Sequence, residues 1–151
     1  MNKKDYGITK LYRFSNKLYK KGFKIIPTLL KNFIRVCFSA TIPYKCTIGY
    51  GTKFPHGGQG VVLNENVKIG NNCIISANVV IGGKSGTEVV PVIGDNVIIG
   101  ANSTIIGNVV IEDNSIIGAG AVVTKNVKKG QVVVGNPAHS IKKGVLWNMI
   151  I

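Results

Sequence analysis

The chain is short of acids: six Asp and Glu stand against 19 Lys and Arg, for a formal net charge of +13. That imbalance points to an anionic partner, which could be a phosphorylated ligand, a membrane surface or nucleic acid. Histidine is scarcer still, with two in 151 residues, too few for a zinc centre built on three imidazoles. The three cysteines, Cys37, Cys46 and Cys73, are odd in number and have no C-x-x-C spacing. Free thiols in a reducing, cytoplasmic setting are therefore expected. Long apolar runs are also missing. The most apolar N-terminal stretch, "GFKIIPTLLKNFIRVCFSA", is broken by Lys24, Pro27, Lys31 and Arg35, which makes it a poor transmembrane span. "MNKKDYGITK" is not followed by the unbroken apolar core of a secretory signal.

What is present suits one folded domain with many tight turns: 45% hydrophobic residues, only 17% charged, and 19 glycines. Composition changes near residue 42. Before it, glycine is rare and cations are dense. Leu11, Phe14, Leu18 and Ile25, with Tyr12, Tyr19 and Ile26 beside them, recur at helical steps. Pro27 ends this helix or starts the next. Leu29, Leu30, Phe33, Ile34 and Cys37 then suggest a second helix. Residues 1–41 are read as a basic amphipathic helical segment, 42–143 as the main domain and 144–151 as a C-terminal tail.

In the main domain Leu63, Ile69, Ile75, Ile81, Ile93, Ile99, Ile105, Ile111, Ile117 and Val123 are six apart, except for one gap of twelve between Ile81 and Ile93. Gly often follows them, as at Gly70, Gly82, Gly94, Gly100 and Gly118. A small or β-branched residue stands four places on, as at Val67, Cys73, Val79, Val97, Ser103 and Ala121. A period of six fits no α-helix. It fits a solenoid of short strands and tight corners, with the aliphatic residue inside and Gly, Asn or Asp bearing the corner backbone. Three such hexads close one triangular coil. The long gap, containing "GGKSGTEVVPV" with Thr87 at the sixth position, is read as a projecting loop.

This tandem [LIV]-G-x-x-x-x pattern resembles the hexapeptide-repeat acyltransferases, and the match covers roughly residues 42–143. The order of blocks "HGGQGVVLNE", "GGKSGTEVVPVIG", "IGANS", "IGAGAVV" and "VVGNPAHSI" is similar to the serine acetyltransferase branch. The resemblance implies a mainly β fold, a left-handed parallel β-helix, and a homotrimer with active sites between subunits where acetyl-CoA meets the acceptor. Departures stand beside it. Val90 occupies the place of a second functional histidine, Pro55 that of an Asp, and one residue is inserted after His56. About forty basic residues also replace a large helical domain. Short chains with such a basic start resemble O-acetyltransferases of surface-polysaccharide clusters. A γ-type carbonic anhydrase shares the β-helix but needs three zinc histidines, so no metal is expected.

A hydroxyl attacking a thioester must lose its proton as the bond forms, and imidazole titrates near neutral pH. His56, amid Gly57, Gly58 and Gly60, is the candidate general base; the plainer reading is a polar loop residue. Glu65 matches the family's Glu and would orient the ring, unless it is a solvated turn residue. By resemblance Gly82, Gly83, Ala101 and Ala119 line the groove for pantetheine, although every corner needs small residues. Lys128, Lys129, Lys142 and Lys143 are candidates for the cofactor phosphates, against the reading of solvated lysines. His139 is too far along the chain from the glycine run to be assigned catalysis. Cys73 is expected to pack inward.

These readings together give an acetyl-CoA-dependent O-acetyltransferase acting on a small-molecule hydroxyl, with a surface-polysaccharide sugar first, L-serine second and a non-catalytic trimeric scaffold third. The basic helices cap the solenoid, rest on anionic lipid, or bind nucleic acid. Capping with a peripheral membrane contact through residues 1–40 is favoured, which would put the protein at the inner membrane surface. No nucleic-acid motif accompanies the charge.

Overall fold

The computed structural model describes residues 7–85 and 89–141. Two helices, α1 (Ile8–Lys20) and α2 (Ile25–Phe38), precede thirteen short strands. These are β1 (Thr47–Ile48), β2 (Val62–Leu63), β3 (Lys68–Ile69), β4 (Ile74–Ile75), β5 (Val80–Gly82), β6 (Val92–Ile93), β7 (Ile98–Ile99), β8 (Thr104–Ile106), β9 (Val110–Ile111), β10 (Ile116–Ile117), β11 (Val122–Val123), β12 (Val132–Val134) and β13 (His139–Ile141). They form three parallel faces: β1-β3-β6-β9 (face I), β4-β7-β10-β12 (face II) and β2-β5-β8-β11 (face III). Only β13 runs antiparallel, against β12 on face II. The chain visits face I, then II, then III, and repeats, which makes a three-sided prism.

Register confirms the hexad arithmetic. Val92 pairs with Val110, Ile98 with Ile116 and Thr104 with Val122, each 18 residues on. Two coils are longer. Ile48 pairs with Ile69, 21 residues on, and Ile69 with Ile93, 24 residues on. The extra residues lie in the His56 loop and in the connection from β5 to β6. Residues 86–88 of that connection, Thr87 among them, lie outside the described residues.

From Leu63 to Val123 the six-spaced column is at most 2% exposed throughout. Ile42, Ile48 and Phe54 extend it backwards at the same spacing and are also buried. The small residues four places on, including Cys73, Val97, Ser103 and Ala121, turn inward as well. Hydroxyls in this column are satisfied by corner carbonyls: Ser103 Oγ donates to Gly100 O at 2.7 Å and Ser115 Oγ to Glu112 O at 2.6 Å.

The corner chemistry divides in a way the sequence pattern left open. Positive φ falls on Asn72, Asn78, Asn96, Asn102 and Asn114, three places after the aliphatic residue. Asn tolerates that left-handed backbone better than most residues. The glycine directly after the aliphatic residue has a different task. A Cβ on Gly49, Gly70 or Gly94 would overlap the neighbouring coil, and one on Gly100 would stand 2.5 Å from Ala119 N. These glycines let successive coils approach. Gly82 is the exception, because a Cβ there meets nothing within 4 Å.

The helices cap the first coil. β1 is an edge strand, and its carbonyls would be unpaired. Tyr12 Oη donates to Cys46 O at 2.6 Å, Arg13 donates to Ile48 O and Gly49 O, and Asn16 Nδ2 donates to Tyr44 O. α1 buries Ile8, Thr9, Tyr12 and Ser15, with Leu11 packed partly against the core; of the apolar residues expected on its face, Phe14 stays 55% exposed. The surface being covered is a row of carbonyls, so hydrogen-bonding side chains turn towards it. The helices meet at Lys21–Lys24, and Pro27 sits in the first turn of α2, where a missing N–H is tolerated.

Candidate active site

His56 sits on the loop that turns the edge from face II to face III. Pro55–Gly58 forms a short 3₁₀ turn in which His56 (φ 54, ψ 32) and Gly57 (φ 69, ψ 14) are left-handed. A left-handed histidine is a sparsely populated state that the surroundings must impose. They do so from both sides. Gly60 N donates to Ser39 O at 3.0 Å, and Asn78 N donates to Gln59 O at 2.9 Å. Phe54 anchors the loop in the core. The imidazole is left exposed, and no described side chain hydrogen-bonds to it. The glycines around it do not face open space. Space beside Gly57 is filled by Phe38, beside Gly58 by Phe54 and Ile8, and beside Gly60 by Asn78. They fit the loop to the fold, and the fold presents the histidine.

The residues singled out from sequence divide between two edges. Ala101 and Ala119 share the II–III edge with His56, where Asn102 N bonds Ala77 O and Gly120 N bonds Ala101 O. Ala119 is exposed and Ala101 half-buried. Gly82 and Gly83 stand at the next edge, from face III to face I. Glu65 is there too, and its Oε1 accepts from Lys45 Nζ at 3.1 Å. Within one chain Glu65 therefore does not orient His56; face III lies between them. Val90, at the place of the second histidine, packs partly against the core. Lys128 and Lys129 occupy the I–II edge, where their backbone N–H groups bond Gln131 and Glu112. His139 is exposed on β13, and Lys142 and Lys143 lie outside the described residues.

A cleft of about 150 Å³ opens beside the III–I edge, lined by Lys31, Arg35, Thr41, Pro43, Tyr44, Lys45 and Glu65. Sequence reasoning missed it. Its signal was Lys31 and Arg35 four apart on α2, one helical turn, while the rest of the lining comes from the first two coils. With Lys45 and Glu65 paired to each other, the cations of α2 are available to an anionic group.

Of the three thiols, Cys37 is exposed on α2 and the other two are buried. Burial pushes the Cys46 thiol up to about 12, and its Sγ donates to Pro43 O at 2.8 Å. Burial likewise raises Cys73, whose Sγ donates to Gly94 O at 3.1 Å. Neither forms a thiolate at neutral pH. Among the described residues no group of three or more His, Cys, Asp or Glu could hold a metal ion.

Residues 91–125 match the family described as bacterial transferase hexapeptide (six repeats), and residues 58–83 match the hexapeptide repeat of succinyl-transferase. Serine acetyltransferase 2 of Arabidopsis thaliana is 35% identical over 141 residues, which is 92% of this chain and 43% of that protein. The Neisseria gonorrhoeae serine acetyltransferase structure superposes with a TM-score of 0.83 at 37% identity, covering 89% of this chain and 53% of its own. Soybean serine acetyltransferase complexed with serine gives 0.83 at 35% identity, covering 89% and 56%. The Brucella abortus enzyme in complex with coenzyme A gives 0.84 at 31% identity, covering 88% and 54%. This chain spans about half the length of those solved relatives.

Proposed function

We infer what this chain does from where it belongs: it is a member of the hexapeptide-repeat acyltransferase superfamily, in its serine acetyltransferase-like branch. Its fold is the left-handed parallel β-helix of those relatives. We propose that it is an acyltransferase carrying an acetyl group from acetyl-CoA to a hydroxyl on a small acceptor. Relatives bearing the name serine acetyltransferase, one solved with coenzyme A and one with serine, support that reading. The observation that carries it here is His56, held left-handed at an edge with its ring exposed.

In this mechanism the imidazole takes the proton of the acceptor hydroxyl as the oxygen attacks the thioester carbonyl carbon. The C–S bond then breaks, and the departing thiolate recovers the proton from the imidazolium. No acyl-enzyme is required, and the buried thiols are unsuited to forming one. Glycine at 82, which the prism does not need, leaves room for a substrate to lie against the backbone at the III–I edge. His56 and Gly82 occupy different edges of one chain, so a complete site suits a homotrimer in which one copy's II–III edge faces the next copy's III–I edge. Val62, Val92, Ile106 and Val110 point outward and are exposed, which supports such packing.

L-Serine stands first among acceptors, because the relatives carry that name. The sugar of a surface polysaccharide has no counterpart among them and stands second, on the strength of Pro55, Val90, the residue inserted after His56 and the basic N-terminal segment. The test is thiol release from acetyl-CoA with L-serine and with a panel of sugars offered separately. Release with L-serine supports the first acceptor, and release with sugars alone restores the second. Release with neither, at any acceptor concentration, leaves the scaffold reading.

A further inference from the structure

We propose that the outer face of α2, with the turn before it, is a docking surface for an anionic lipid bilayer. The helix has three sides. Pro27 and Ile34 are buried against the rest of the protein. Lys31 and Arg35 line the cleft. The third side carries Ile25, Leu29, Phe33 and Val36, spaced four, four and three apart, which puts them on one stripe. They are 77%, 62%, 50% and 80% exposed. Ile26 and Phe23 widen the stripe towards the turn and are exposed too. An apolar band of this extent on a helix needs a cover.

Charge selects the cover. Lys17, Lys20, Lys21 and Lys24 are exposed around the end of the band where the two helices meet. From residue 6 to residue 64 the chain has no Asp or Glu at all. A second copy docking through the same face would set those lysines against themselves. Nor would another face of a second copy compensate, because the described carboxylates are engaged. Glu65 holds Lys45, Asp95 accepts from Asn71, Asp113 from the Asp95 N–H, and Glu112 from the Lys129 N–H. Anionic headgroups supply the missing charge, and the acyl boundary takes the apolar band while the lysine stems reach outward. Among the described residues no helix is long and apolar enough to cross a membrane, so α2 lies on the surface. This inference does not depend on the acceptor or on the chemistry at His56.

The test is flotation of the full chain with vesicles of phosphatidylcholine and phosphatidylglycerol, beside vesicles of phosphatidylcholine alone. Binding is expected on the anionic vesicles at low salt and is expected to fall steeply as salt rises. Two sets of variants separate the contributions. Ile25→Asn with Val36→Asn removes the most exposed apolar groups, and Lys21→Gln with Lys24→Gln removes cations at the turn. Each pair is expected to weaken partitioning about tenfold or more, with an unchanged melting temperature because these side chains are exposed. No binding to anionic vesicles at low salt overturns the proposal. So does equal binding to neutral vesicles, or full binding by both variant pairs. Sedimentation in which Ile25→Asn with Val36→Asn dissociates an oligomer, without any change in vesicle binding, assigns the face to a second copy and likewise overturns it.

Discussion

The prism and the helices at its end obey different rules. In the prism each position repeats the same task every six residues. The aliphatic residue fills the interior, a small one lines the corner, Asn takes the left-handed turn, and Gly admits the next coil. In α1 the buried side is apolar in part, with Ile8 and Tyr12 in the core and Leu11 packed against it, but it also carries polar groups. It is the side whose hydroxyl, guanidinium and amide reach the carbonyls of β1. In α2 most large apolar groups stay exposed. Periodicity therefore determines burial fully where an element packs against copies of itself, and only in part where it packs against a row of backbone acceptors, because polar side chains such as Ser15 and Asn16 turn to the buried side as well.

The sharpest test of that contrast sets one interior residue against one outer residue. Ile99→Ala is expected to cost about 2–5 kcal/mol, since it leaves a cavity in a fully buried column. Ile25→Ala, on the outer face of α2, is expected to stay within about 0.5 kcal/mol. Urea denaturation of both gives the answer, and similar values would erase the distinction between the regions.

Within the prism, two glycines that look alike in sequence should part company. Gly100→Ala pushes a methyl group into the backbone at Ala119 and should cost about 1–3 kcal/mol. Gly82→Ala meets open space and should leave thermal stability unchanged; if the proposed substrate groove runs along that edge, turnover should fall. Tyr12→Phe should cost about 1–3 kcal/mol, for it strands the Cys46 carbonyl and the Ile48 N–H. A neutral result would mean that the helices cap by apolar contact after all.

A further effect is one of pH. Burial raises the Cys46 thiol from 9.0 to about 12, so the folded state keeps its proton after the unfolded state has lost it. The contribution is fully present below about pH 9 and is lost as pH rises towards 12. Cys46→Ala should flatten the decline in stability across that window. Thiol labelling at neutral pH should modify the exposed Cys37 and spare Cys46 and Cys73 until the protein unfolds.

Much of this was legible in the sequence. The six-residue column from Leu63 to Val123, the inward cysteine at 73 and the longer connection before Ile93 could all be read directly, because each coil restates the same rule. The column's earlier members Ile42, Ile48 and Phe54 were harder to see, since the His56 loop interrupts the count after them. Pairing of site residues was not legible. Glu65 lies only nine residues after His56, yet a strand carries it across face III to another edge and to Lys45. The cleft under α2 was hidden for a similar reason: Lys31 and Glu65 are far apart in the chain and meet only when α2 lies across the first coils.

The account rests on His56 as the base that activates the acceptor. The most direct measurement is the steady-state rate of thiol release from acetyl-CoA with L-serine, wild type beside His56→Ala, with thermal melts of both. A fall of about 10²–10⁴-fold in kcat with the melting temperature preserved is the predicted result. Equal rates in the two proteins would contradict it and return His56 to the status of a loop residue.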